Sequence, residues 1–178
     1  MNQLGSKTRE QAAPDLMKSA LGRRKRQPNA GQRRAAPSSG ATGSDLRVRD
    51  LMTPGMVSAQ PGDRVATIYD LMDERHIRHL TVVDDDGDLV GVVSHRDLLR
   101  NALLERPDLA RAEHREALRQ VRVGEVMTSE VETIEPDRTA EEAARILRER
   151  CFGCLPVLED GCLVGILTES DFVRWFAV

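Results

Sequence analysis

The sequence is poor in cysteine, in long apolar runs and, after its first quarter, in positive charge. Its three cysteines, Cys151, Cys154 and Cys162, are an odd number and too few to staple a small fold, which excludes a disulfide scaffold and predicts reduced thiols. No window approaches the roughly eighteen consecutive apolar residues that span a bilayer, and the opening lacks the apolar stretch of a signal peptide. A cytoplasmic protein with no membrane partner is expected. A nucleophile elbow of the Gly-x-Ser-x-Gly kind is also missing, and Ser94 beside His95 is no nucleophile and base pair, because neighbouring side chains at a helix start diverge. The chain is therefore expected not to be an enzyme.

Charge divides the chain. Residues 1–44 carry nine basic side chains against two acidic ones, leaving seventeen basic against twenty-seven acidic beyond them. The first segment also collects Pro14, Pro28, Pro37 and several Gly and Ser, with too few large apolar residues to offset the entropy of ordering it. It reads as a disordered basic tail. Arg23-Arg24-Lys25-Arg26 and Arg33-Arg34 would attract nucleic-acid phosphates. The acidic remainder argues against a broad basic face, so nucleic acid is not the expected partner.

What is present is an internal repeat. A shift of 75 positions lays Leu51-Met52-Thr53 on Val126-Met127-Thr128, Pro61 on Pro136, Glu74-Arg75 on Glu149-Arg150, and Leu80 and Val82 on Leu155 and Val157. After a one-residue deletion in an acidic turn, Gly87, Gly91, Ser94, Asp97 and Arg100 fall on Gly161, Gly165, Thr168, Asp171 and Arg174. Within each unit the apolar period changes twice. Val65, Ile68, Leu71 and Met72, and likewise Ala140, Ala143, Ala144 and Leu147, share one helical face, the second helix opening on a Thr139/Glu142 capping box. The runs 80–83 and 89–93, then 155–158 and 163–167, are β-branched hairpins, the second turned by Asp160-Gly161. A further helix starts near Ser94 or Thr168, short strands are expected at 56–58 and 131–133, and residues 98–120 read as helical linker broken at Pro107.

The runs LMTPGMVSAQPGD, LTVVDDDGDLVGVVSHRD, VMTSEVETIEPD and LPVLEDGCLVGILTESD resemble tandem CBS domains, also called Bateman modules, over about Val48 to Arg174. The resemblance implies an α+β fold of two β-α-β-β-α repeats paired about a pseudo-twofold axis after the tail. The boundaries expected are 1–44 tail, 45–104 first repeat, 105–120 linker and 121–178 second repeat. It further implies a stand-alone, non-catalytic regulatory module whose clefts hold an adenosine-type ligand, AMP, ADP, ATP or S-adenosylmethionine. No cofactor is required, and a partner protein is signalled in trans.

In such clefts the resemblance gives Ser94 and Thr168 a phosphate-side hydroxyl at a helix N-terminus, and Asp97 and Asp171 the ribose hydroxyls. Arg78, with His79 and Arg96 nearby, would meet phosphate charge; the counterpart of Arg78 is Gly153. The plainer reading of both Ser/Thr-x-x-Asp tetrads is a helix cap. Thr81 stands where the family usually has proline.

His76-x-x-His79 falls on Cys151-x-x-Cys154, a competent zinc set if the two pairs meet, though helix ends and strand starts explain the same residues. Asp84, Asp86 and Asp88 lack the spacing and the bidentate Glu of a calcium loop and read as a polar turn. Finally, Phe172, Val173, Trp175 and Phe176 place three of the five aromatic residues in the last seven positions. Part of that surface should cover its own sheet, the remainder a helix contact in a homodimer. A dimerisation module with empty clefts is the rival reading.

Overall fold

The computed structural model describes residues 46–105, 116 and 118–177; the basic tail and Pro107 lie outside the described residues. Each half builds the same pieces from the same local signals. The elements in chain order are α1 (Val48–Leu51), β1 (Thr53–Pro54), β2 (Ser58–Ala59), α2 (Val65–Arg75), β3 (His79–Val83), β4 (Leu89–Ser94) and α3 (His95–Glu105). They continue as α4 (Val123–Val126), α5 (Ala140–Arg150), β5 (Cys154–Glu159), β6 (Cys162–Thr168) and α6 (Glu169–Phe176).

Helix α5 opens where expected, the Thr139 hydroxyl accepting from the Glu142 amide at 3.1 Å. Helices α2 and α5 both stop on a left-handed residue, His76 (φ 54°) and Cys151 (φ 55°). The next amides, Ile77 and Phe152, reach back to the carbonyls of Met72 and Leu147 at 3.0 Å, which satisfies helix-end acceptors and turns the chain directly into a strand. In the first hairpin the Asp84 carboxylate accepts from the amides of Asp86 (3.0 Å) and Asp88 (2.9 Å), an Asx turn. In the second, Asp160 (φ 51°) and Gly161 (φ 79°) supply the two positive φ angles of a tight turn.

The two sheets are ordered β2-β3-β4 and β1-β6-β5. The short strands fall slightly later than the expected 56–58 and 131–133. Ser58 and Ala59 pair parallel with Thr81 and Val82, and Ile134 bridges Val157. The pairing sits where an inward-facing residue, Ala59 or Ile134, joins the core of its unit. Thr81 is fully buried, and its hydroxyl shares a 2.8 Å hydrogen bond with that of Ser58, so the departure from proline there leaves no buried polar group unpaired.

The chain exchanges segments between its halves. Leu46, Val48 and Leu51 belong to the core built on α5, β5 and β6, whereas Leu118 and Val123 belong to the core built on α2, β3 and β4. The docking bonds repeat on both sides. Val48 N–H donates to Arg138 and Arg49 N–H to Pro136, both at 2.9 Å, as Val123 N–H does to Asp63 and Gly124 N–H to Pro61. Val48 and Val123 are fully buried, each contributing roughly 1.5–3 kcal/mol to holding one half on the other. The bonds that hold β1 on β6 (Thr53 opposite Ile166) recur as the bridge between Thr128 and Val92, so a pseudo-twofold axis relates the halves.

Close approach of these exchanged segments explains the recurrent Gly91 and Gly165. A Cβ on Gly91 would stand 2.8 Å from the Met127 sulfur and 3.0 Å from the Thr128 carbonyl oxygen. On Gly165 it would stand 2.6 Å from the Met52 sulfur and 3.3 Å from the Thr53 carbonyl oxygen. The Met-Thr pairs and the glycines recur together because they touch across the repeat boundary.

Candidate functional site

Strands β3 and β5 each hand their first residue to the last residue of the returning strand, His79 opposite Ser94 and Cys154 opposite Thr168. This register brings each tetrad to the start of the helix that follows its hairpin. At the first, the Ser94 hydroxyl lies 2.5 Å from Asp97 Oδ2, the Ser94 amide donates to the same oxygen at 3.3 Å, and the Asp97 amide donates to Ser94 Oγ at 3.2 Å. At the second, the Thr168 amide and hydroxyl both donate to Asp171 Oδ2 at 2.8 Å. Both tetrads therefore cap helices.

Their surroundings differ. Asp171 is 4% exposed, and its other oxygen accepts from Thr53 Oγ1 at 3.2 Å and Arg174 at 3.0 Å. The carboxylate thus joins α6 to β1, a strand from the opposite end of the chain. Asp97 is only half-buried and lies close enough to the seam between the halves to act electrostatically on both His79 and Cys154.

The His79 imidazole crosses that seam and rests on Gly153, where a Cβ would stand 2.3 Å from Nε2. Burial holds the His79 pKa below 6.5 against the opposing pull of Asp97 and Glu169; Arg78 and Arg96 act in the same direction as burial. Burial also pushes the Cys154 thiol up to about 12, with Asp97 adding to the shift, so it stays protonated at neutral pH.

Arg78 and His79 part company. Arg78 is exposed and, with Met72, Asp73, His76, Ile77 and His95, lines a hollow of about 220 Å³ on the helical side of the first half. Arg96 is exposed at the first turn of α3. His76 and Cys151 close helices, His79 and Cys154 open strands, and among the described residues no group of three or more His, Cys, Asp or Glu side chains is placed to hold a metal ion. The sequence pattern contains no sign of the bond from Thr53 to Asp171, and only the missing side chain at Gly153, opposite Arg78 in the repeat, hints at the His79–Gly153 packing.

Two halves of this topology, exchanged at their leading segments and carrying capped tetrads at matched helix starts, form one paired two-repeat module. Residues 48–103 and 123–178 match the CBS domain family, and the chain belongs to it. It is 33% identical over 147 residues to the chloroplastic CBS domain-containing protein CBSX2 of Arabidopsis thaliana, covering 71% of this chain and 62% of that one. The crystal structure of CBSX2 in complex with AMP superposes with a TM-score of 0.60, covering 74% of this chain and 96% of that chain. The CBS domain pair of MJ0100, solved with 5′-methylthioadenosine and S-adenosyl-L-methionine, shares the fold at 23% identity, with a TM-score of 0.62 and coverage of 74% and 96%. Other relatives are longer. The chain spans 24% of a homoserine O-acetyltransferase of Methanohalobium evestigatum, to which it is 28% identical. Among the described residues no helix is long and apolar enough to cross a membrane.

Proposed function

We propose that this chain is a non-catalytic regulatory module that binds an adenosine-type ligand, AMP, ADP, ATP or S-adenosylmethionine, and passes its occupancy to a partner protein. One observation carries the reading: Ser94 and Asp97 sit at the start of an eleven-residue helix, half-buried, beside the seam that His79 crosses. There the amides of the first turn, the Ser94 hydroxyl and the positive end of the helix dipole suit a phosphate, and the Asp97 carboxylate suits vicinal ribose hydroxyls. The AMP complex of CBSX2, at 33% identity, supports that ligand class. Arg78 and Arg96, like Asp97, act electrostatically on His79, so the three basic side chains stand near the same place.

The first tetrad is the more accessible of the two, Asp97 being half-buried where Asp171 is 4% exposed. A ribose at Asp171 would have to displace Thr53 or Arg174 from a carboxylate that is almost fully buried. Arg174 is the easier to displace, being itself exposed, so Thr168 and Asp171 make a weaker second site. Occupancy becomes a signal only through a difference in affinity between two arrangements of the halves, and the exchanged segments make the seam the place where such arrangements would differ. The module works as a homodimer through its helical faces, where Leu99 (37% exposed), Val173 (67%) and Phe176 (77%) stand uncovered.

Thermal melting against AMP, ADP, ATP, S-adenosylmethionine and GTP, followed by calorimetry, tests the reading. A rise in melting temperature with the adenosine ligands and not with GTP is the expected outcome. No shift with any of them would leave a dimerisation module with empty clefts.

A further inference from the structure

We infer that a phosphate-bearing ligand entering the first cleft binds together with a proton, which the His79 imidazole takes up from solvent, so that acidity sets the affinity of this cleft. The inference deepens the reading of Ser94 and Asp97 as an adenosine-ligand site and rests on it. Strand pairing places the ring. Leu80 and Val82 of β3 and Val93 of β4 belong to the first core, so the alternation of side chains turns His79 and Ser94 to the opposite face of the sheet. The two stand directly opposite each other in the register, which brings their side chains side by side on that face. The ring also meets the second half at Gly153, where a Cβ would stand 2.3 Å from Nε2. A phosphate held by the Ser94 hydroxyl would therefore stand next to the imidazole, at the seam.

Charges reach His79 from the elements packed around it: Asp97 and Arg96 on α3, Glu169 on α6, and Arg78 beside it in the chain. Without ligand, burial and the two arginines outweigh the two carboxylates, and the ring resists protonation. A phosphate dianion beside the ring tips this balance, because an opposite charge within about 4–6 Å moves a pKa by roughly one to three pH units toward the charged form. Sites that favour each other's occupancy do so reciprocally. The gain in affinity is complete below the free pKa, itself under 6.5, and is lost as pH rises through the higher pKa of the complex. The second cleft lacks this device. Its residue at the matching position is Cys154, opposite Thr168, a buried thiol pushed up to about 12 that already holds its proton and gains no positive charge by it.

Calorimetry of the full chain with AMP and with adenosine, in two buffers of different ionisation enthalpy at about pH 7, counts the protons taken up on binding. The wild type should take up a fraction of a proton with AMP, and its affinity should rise roughly fivefold between about pH 8 and about pH 6.5. His79→Gln should take up less and show a flatter profile, whereas adenosine should show neither effect in either protein. Titration of the phosphate itself, near pH ~6, is common to both proteins and cancels in the comparison. Histidine ring resonances of the wild type give a second measurement that does not depend on how the variant folds. One of the four histidines should titrate below 6.5 in the free protein and above it with AMP. Equal proton uptake and equal profiles in wild type and His79→Gln, or no histidine that moves with AMP, overturns the proton coupling while the ligand site stands. Absence of AMP binding at any pH overturns the ligand reading itself, and the coupling with it.

Discussion

The imidazole of His79 occupies the space that any side chain at position 153 would need, since a Cβ on Gly153 would lie 2.3 Å from His79 Nε2 and 2.8 Å from Cε1. Gly153→Ala should therefore force the ring or the strand aside and lower stability by roughly 1–3 kcal/mol. Urea unfolding of Gly153→Ala, His79→Ala and the double variant checks this. The two changes should be less than additive, because removing the ring empties the space the new methyl needs.

Burial of His79 also sets a pH dependence. Unfolded, the ring takes a proton near 6.5; folded, it resists protonation until lower pH. Between those values the unfolded state holds more protons, so stability falls as pH drops below about 6.5 and levels off beneath the folded pKa. Denaturation midpoints across this range should show that slope in the wild type and a flatter one in His79→Gln. Equal slopes would remove His79 as its source.

The two tetrad carboxylates should separate by readout. Asp97→Ala is expected to weaken adenosine-ligand binding roughly tenfold to a hundredfold, the worth of hydrogen bonds to a charged acceptor, with a small change in melting temperature. Asp171→Ala strips acceptors from Thr53, Thr168 and Arg174 in a buried setting and should cost on the order of 1–3 kcal/mol of stability. Calorimetry and thermal melting on both variants decide it. Unchanged binding in Asp97→Ala would reduce the first tetrad to a helix cap.

Cysteine reactivity should follow exposure. Iodoacetamide at about pH 8 is expected to alkylate the exposed Cys151 and Cys162 in the native protein, while Cys154, buried and held protonated, reacts only after denaturation. Intact mass before and after unfolding reads the count. Rapid native labelling of Cys154 would contradict its burial.

Much of the fold was legible because its signals are local. The 3.6-residue spacing of Val65, Ile68 and Met72, the capping pair Thr139 and Glu142, and the Asp160-Gly161 turn each act within a few residues, and each forms the element it predicts. Position within the sheet was less legible. The short strands settled a residue or more later than expected because their place depends on which residue, Ala59 or Ile134, is drawn into a core built by distant parts of the chain. Of the terminal apolar residues, Phe172 and Trp175 pack on the second core, while Val173 and Phe176 project.

By itself the sequence determined that two like units exist, what elements each contains, and which residue types stand at each helix start, since repetition and periodicity are properties of the chain order. Only the tertiary structure decided that the segments 46–51 and 118–123 change places between cores, that Met52 and Met127 lie over Gly165 and Gly91, and that Asp171 is closed in by Thr53 while Asp97 stands half open. Each of these contacts joins residues far apart in the chain. Shape and burial at such contacts depend on both surfaces at once, and neither surface is encoded in the neighbourhood of the other.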